Sequence, residues 1–400
     1  MVRRQNLLEW CAQNAVQIDE RLRIENDRVT ALDFILRDTV VSRVPKEAVL
    51  SLKTSTLSAQ LSSLPLTHIV ALSFALLYEM EQGSQSPWYL YIQSLPPTPP
   101  DVASLWDRTP DLDGTEIGKR LTELLHAEHG LRGRMSKRRL EELYHQHSQR
   151  LSIHSPFSFF LYAYAIVSSR VFSIDTYHDV GLVPIADLFN HVEESNIAIE
   201  SDLVVCECCG QLRGNCIKRS NSSTSGSPSQ TLDIVTTSTA ESAQELYNSY
   251  GDALSNVDLA LEYGFVLDAN ESDRVTFEEC ECAAAEAYAD VGDATFDDDE
   301  QELFVADRAA YIDAQGRVSL GLFGVHETDI LYAIVSAYEQ SETVSDASIR
   351  QVIAQLINKI DKRIAQYPKQ IASTTPMLMQ MREDELGLLQ TARHRFTDLL

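Results

Sequence analysis

Hydrophobic periodicity changes character three times along this 400-residue chain, and any fold it adopts must accommodate those changes. Over residues 16–53 the pattern is β-branched and short-periodic, as in Val-Thr-Ala-Leu-Asp-Phe-Ile-Leu-Arg-Asp-Thr-Val-Val-Ser-Arg-Val-Pro, and it predicts strands joined by turns. From 63 to 167 the apolar spacing becomes helical: the segment starting His68-Ile-Val-Ala-Leu-Ser-Phe reads as a buried helix and residues 137–152 as an exposed amphipathic one. Between them Pro96-Pro97-Thr98-Pro99-Pro100 breaks regular structure. Strand-like segments return over 172–265, interrupted by a Ser-rich polar stretch that cannot bury enough surface to order itself, so a disordered loop is expected at about 215–232. After 273 the chain turns acidic and helical, with a solvated turn at 296–300 and long helices over 345–367 and 382–399. The expectation is an α+β protein of small sheets with a helical insert at about 63–167, making one domain over 1–275, followed by an all-helical domain over 276–400.

Lys and Arg number 33 against 59 Asp and Glu, a formal charge of −26, so the summed field repels nucleic acid and attracts basic partners. Direct nucleic-acid binding is not expected; acidity that serves solubility alone remains the alternative reading. The longest apolar runs fall short of the ~20 residues that a membrane span needs, and the N-terminus lacks the apolar core of a secretory signal. A monomer in the cytoplasm or nucleus, with no membrane association, is therefore expected. Seven cysteines, mostly in tight clusters, point to reduced thiols. Cys206, Cys208, Cys209 and Cys216 could supply four thiolates to a structural zinc. Adjacent Cys208 and Cys209 are expected to point different ways, however, so no metal site is assigned, and Cys280 and Cys282 are set aside because they precede a helical stretch at 283–289.

Two short blocks carry the chemistry. One is Val-Pro-Ile-Ala-Asp-Leu-Phe-Asn-His, ending at Asn190 and His191; the other runs Tyr-Gly-Asp-Ala-Leu-Ser-Asn-Val-Asp-Leu-Ala-Leu-Glu-Tyr-Gly-Phe over 250–265. In this order they resemble the two C-terminal motifs of SET-domain protein-lysine methyltransferases, in the branch typified by the Rubisco large-subunit enzyme. Ser86-Pro-Trp88, Tyr91-Ile-Gln-Ser-Leu95-Pro96 and Ser169-Arg-Val-Phe172 resemble that branch's linking segments, so the likeness spans most of the chain from about residue 20.

The resemblance implies an S-adenosylmethionine-dependent enzyme that methylates a lysine of a protein, with a basic ribosomal protein or translation factor as the expected substrate. Tyr263 would orient the lysine amine and wall its channel, and Asp187 matches a carboxylate near the lysine end. Arg170 would bind the cofactor carboxylate with Phe172 packed beside it, while Asn190 and His191 would hold the cofactor's amino-acid and adenine edges. Each residue type has an ordinary structural alternative: core for Tyr263 and Phe172, a surface ion pair for Arg170, a turn cap for Asp187. The family's opening Gly-x-Gly turn is replaced by Glu25-Asn26-Asp27-Arg28, in which Glu25 and Asp27 would face the cofactor. Arg28 could crowd that pocket or pair with Glu25, and the competing reading is a SET-fold adaptor that binds a basic protein without catalysis.

Overall fold

A computed structural model describes residues 2–25, 28–211, 231–277, 310–313, 318–320, 346–372 and 375–398. The chain divides into two compact units. The first comprises Met1–Trp106, Leu124–Asp252 and Glu262–Gly264; the second comprises Asp107–Glu123, Ala253–Leu261 and Phe265–Leu400.

The chain opens with helix α1 (Val2–Gln13), which the strand-first reading did not foresee although Leu7, Trp10 and Cys11 already sit at helical spacing and are buried. Short strands follow, as expected: β1 (Gln17–Ile18), β2 (Leu22–Ile24), β3 (Val29–Ala31), β4 (Val40–Pro45) and β5 (Leu50–Ser51). The helical insert is α2 (Ser58–Leu61), α3 (His68–Gln82), α4 (Tyr89–Ser94), α5 (Glu116–His126, which belongs to the second unit up to Glu123), α6 (Lys137–His147) and α7 (Phe157–Arg170). The prolines at 96–100 stand outside any helix or strand, and α6 stops at His147, short of the expected 152. Strands β6 (Val171–Ser173), β7 (Val180–Leu182), β8 (Asn190–His191), β9 (Ile197–Glu200), β10 (Thr231–Thr236) and β11 (Glu245–Asn248) complete the first unit. Thr231 and Leu232, placed in the disordered loop by the sequence, open β10 instead, because they pair with Pro45 and Val44 of β4; the rest of that loop lies outside the described residues.

Three small sheets result, ordered β1-β4-β10-β9, β2-β3-β11-β8 and β5-β7-β6. Almost every pairing is antiparallel, and on β4 and β10 the directly opposed Arg43 and Asp233 form an ion pair of 2.7 Å. The exception is β8, which pairs with β11 in parallel, Asn190 opposite Tyr247 and His191 opposite Asn248. Two apolar helices fill the unit's core: α3 and α7 pack through Phe74 and Phe160, whose ring centroids lie 4.4 Å apart. Trp10 of α1 stacks on Trp88 at 5.3 Å and donates its indole N–H to the Pro87 carbonyl, which fastens the N-terminus beside α4.

The second unit contains α8 (Asn256–Glu262) up to Leu261, then β12 (Arg274–Phe277), β13 (Ala310–Asp313), β14 (Val318–Leu320), α9 (Asp346–Gln366) and α10 (Pro376–Asp398). The two long helices fall where periodicity placed them, and the antiparallel sheet β12-β13-β14 is an addition to the all-helical expectation. The segments expected as a turn at 296–300 and a helix at 283–289 lie outside the described residues. Among those residues no helix is long and apolar enough to cross a membrane.

A buried polar cluster organises this unit. Glu116 takes an ion pair from Arg363 at 2.7 Å and hydrogen bonds from the Thr276 backbone and hydroxyl, while Glu385 accepts from the Glu116 backbone N–H and from the Tyr367 hydroxyl at 2.6 Å. Burial, reinforced by the Glu116 charge, pushes the Glu385 carboxyl up from 4.5 to about 8. The folded state thus prefers the protonated acid, so this group's stabilising contribution is full below its ordinary value and is lost as pH rises towards 8. Urea unfolding should show stability falling between about pH 6 and pH 8, by on the order of 1–3 kcal/mol, and Glu385→Gln should flatten that dependence; equal slopes in both proteins would contradict it.

Candidate functional site

The parallel strand pair joins the two sequence blocks, and Asn248 at its end lines a cavity of about 630 Å³ in the first unit. Beyond β11 the Tyr250 backbone N–H donates to His191 Nδ1 at 3.1 Å, and the two rings stack with centroids 5.1 Å apart. Burial lowers the His191 pKa, so the ring is neutral, with its proton on Nε2 while Nδ1 accepts. Tyr263 lies against the Tyr250 ring at 4.7 Å and donates its hydroxyl to the Tyr250 carbonyl at 3.2 Å; the Tyr250 hydroxyl donates to the Phe189 carbonyl at 3.0 Å. Burial pushes both phenols up to about 12, so each remains a neutral donor and acceptor. Gly264 explains why Tyr-Gly is needed here: it sits at φ +80, and a Cβ would come within 2.9 Å of the Asp101 backbone.

A second group comes from the C-terminus of α7 and the turn before β8. Arg170 Nη1 donates to the Asp187 carbonyl at 2.6 Å and to its carboxylate at 3.2 Å. Asp187 follows Ile185, a β-branched residue held at φ 72, ψ −48 and wholly buried. Such backbone costs on the order of 1–3 kcal/mol and persists where surrounding packing over-determines it. Burial raises the Asp187 pKa while Arg170 works the other way. Among the described residues, two buried atoms of this pair have no hydrogen-bond partner: Arg170 Nε, a donor, and Asp187 Oδ1, an acceptor. Both residues line the cavity.

A third group was not foreseen. Glu262 is buried with Arg134 at 3.1 Å and Arg132 at 3.4 Å, and Arg134 is braced by the Ser168 carbonyl at 2.9 Å. These three residues and His68, which contacts Asp179, also line the cavity.

The structure thus brings Tyr263, Asp187, Arg170 and Phe172 to one cavity, as the sequence suggested. Asn190 and His191 are not among its lining residues: Asn190 is exposed and donates its amide to Glu245 at 2.8 Å, and His191 backs the Tyr250 ring. Glu25 is not among them either; it pairs with Arg28 at 2.7 Å and its N–H meets the Arg28 carbonyl, which closes the glycine-free turn, while Asp27 lies outside the described residues. Tyr250, Asn248, Glu262, His68 and the Arg132-Gly133-Arg134 turn are among the lining residues that sequence reasoning missed. Tyr250 opens the second block and was within reach of it; the arginine turn belongs to no motif.

No protein-family model matches the chain. Among curated proteins it is 28% identical over 214 residues to "Ribosomal lysine N-methyltransferase 3" of Saccharomyces cerevisiae, which covers 41% of this chain and 38% of that protein. It is also 23% identical over 289 residues to an uncharacterised protein of Schizosaccharomyces pombe, 66% of this chain and 54% of that one. The chain therefore spans well under two thirds of the length of either relative. Among solved structures, the SET domain of LSMT bound to lysine and AdoHcy matches with TM-score 0.61 and 17% identity, covering 99% of this chain and 91% of that one. Rubisco LSMT bound to AdoMet matches with TM-score 0.61 and 17% identity, covering 99% and 92%. This chain has the SET fold, in the elaborated form of LSMT, and the fold class expected from its periodicity and motifs is borne out.

Removing the carboxylate of Asp187 would strand a cation that is four-fifths buried. Asp187→Ala should destabilise the protein by about 2–4 kcal/mol in urea unfolding, and Asp187→Asn by less, because the amide oxygen still accepts from Arg170. An Asp187→Ala protein as stable as wild type would show that the pair does not hold this turn.

Proposed function

We propose that this chain is an S-adenosylmethionine-dependent protein-lysine N-methyltransferase of the Rubisco large-subunit methyltransferase-like branch. The observation that carries the reading is the cavity itself, where two neutral tyrosines in tilted ring contact meet an arginine–aspartate pair with unsatisfied buried atoms. Those atoms fit the cofactor's amino-acid end: Arg170 Nε offers a donor to its carboxylate, and Asp187 Oδ1 an acceptor to its ammonium. Phe172 beside Arg170 supplies apolar surface. His191 is a positioning residue, holding Tyr250 by one hydrogen bond and a stacked ring.

S-adenosylmethionine, when bound, supplies a methyl group activated by its sulfonium. The protein must then present an uncharged amine in line with that methyl and exclude water. A lysine amine has an ordinary pKa near ~10.4, and losing its water between tyrosine rings disfavours its charged form. With their protons donated to backbone carbonyls, the phenol oxygens of Tyr263 and Tyr250 can accept from the amine's N–H groups and so leave its lone pair free to point at the methyl. Neither can act as a general base, since burial keeps both protonated at neutral pH.

The substrate we infer is a basic protein of the translation machinery. Support comes from the charge of −26, since complementary fields raise encounter rates, and from the name of the Saccharomyces cerevisiae relative.

Methyl transfer from labelled cofactor to a translation-machinery extract tests the roles. Tyr263→Phe and Tyr250→Phe should each lower turnover about 10²-fold or more with cofactor Kd changed less than about two-fold. Arg170→Ala should instead weaken cofactor binding at least about tenfold by calorimetry. Full turnover in both tyrosine variants, or unchanged affinity in the arginine variant, would refute these assignments.

A further inference from the structure

The cysteine-rich turn after β9 is not part of the cavity, and its geometry differs from the sequence expectation. Cys208 and Cys209 do not diverge: the sulfurs of Cys206, Cys208 and Cys209 all lie within 4.8 Å of one another, with Cys206 and Cys208 at 3.1 Å. The backbone explains why. The N–H groups of Cys209 and Gly210 both donate to the Cys206 carbonyl, at 3.2 and 2.7 Å, and the Cys206 N–H donates to the Gln211 carbonyl at 2.7 Å. Gly210 sits at φ +70 with its open face on the Tyr177 ring, where a Cβ would approach to 2.9 Å. The turn therefore curls its three thiols to one side.

The segment leading into this turn is fixed to the interior. Lys46, 1% exposed, pairs with Asp175 at 2.7 Å and donates to the Asp202 carbonyl at 3.0 Å. Burial opposes ionisation of Asp175, but hydrogen bonds from His178 and Lys46 outweigh it and hold the carboxyl well below the usual range. Thr176 donates its N–H to the Leu203 carbonyl at 3.0 Å, and its hydroxyl exchanges bonds with the Val205 backbone at 2.8 and 3.1 Å. The thiols are thus carried on backbone whose position a ligand need not pay to order.

We propose that Cys206, Cys208 and Cys209 form a structural site for a thiolate-preferring divalent metal of the zinc class. A tetrahedral metal with sulfurs at about 2.3 Å holds them about 3.8 Å apart, within an ångström of the spacing here. A disulfide between Cys206 and Cys208 would need its sulfurs to close to about 2.05 Å. The fourth position is filled by a water or by a further side chain; Cys216 lies outside the described residues and the site does not rest on it. None of the three cysteines lines the cavity, so the metal clamps the turn and takes no part in catalysis.

Metal analysis of the full chain, purified without chelators, tests this. Wild type should hold about one zinc per chain after dialysis, and Cys208→Ser/Cys209→Ser should lose it with unchanged circular dichroism. Cobalt should replace the zinc and give thiolate-to-cobalt charge-transfer absorption that the variant lacks. Zinc retained by the folded variant would assign the metal elsewhere and overturn the proposal. Should the variant not fold, cobalt uptake by wild type decides alone. A wild-type chain that takes up neither metal, with all its thiols free or with Cys206 and Cys208 found as a disulfide, overturns it.

Discussion

The two-residue parallel pairing of β8 with β11 is the constraint on which the rest of the site depends. Two residues per strand form too few hydrogen bonds to be stable alone. The pair is held because each strand is committed elsewhere: β11 is already in register with β3, and β8 follows a turn whose left-handed Ile185 is locked in the core. Once formed, the pairing sets His191 beneath Tyr250, and Tyr250 in turn sets Tyr263. A chain of contacts therefore runs from strand register to the tyrosine hydroxyls, and a slip of one residue would turn His191 away from the ring it supports.

Electrostatics divides labour between buried charges. Lys46 with Asp175 is fully satisfied and anchors backbone, whereas Arg170 with Asp187 is left short of partners. A satisfied pair is architectural; an incompletely satisfied one at a cavity wall is poised to take a ligand. Next to Tyr263, burial first and then the Glu262 carboxylate discourage ionisation of the phenol, while Arg134 and Arg132, which pair with Glu262, work the other way.

Much of this was legible in the sequence because it depends on local pattern. Helices α3, α9 and α10 follow from apolar spacing, and Tyr263, Arg170, Phe172 and Asp187 from ordered motifs whose residues do converge. What was not legible depends on tertiary choice. The pairing of β8 is too short to leave a periodic signal, and it turns the Asn190 amide towards Glu245 and the His191 imidazole under a ring, contacts that the motif does not announce. The curl of the cysteine turn needed Gly210 in a left-handed conformation, which a glycine permits but does not announce. The glycine-free turn at Glu25 closed through its own ion pair with Arg28, an outcome that residue types suggested and geometry decided.

We propose that this cavity holds S-adenosylmethionine although Glu25-Asn26-Asp27-Arg28 stands where SET-domain methyltransferases have a Gly-x-Gly turn. Calorimetric titration of the purified chain with S-adenosylmethionine and with its demethylated product tests it most directly. One saturable site of micromolar strength, about −8 kcal/mol, is the predicted result for both. Absence of heat from either ligand with a folded protein would contradict the claim and leave the SET fold here as a surface for binding a protein partner.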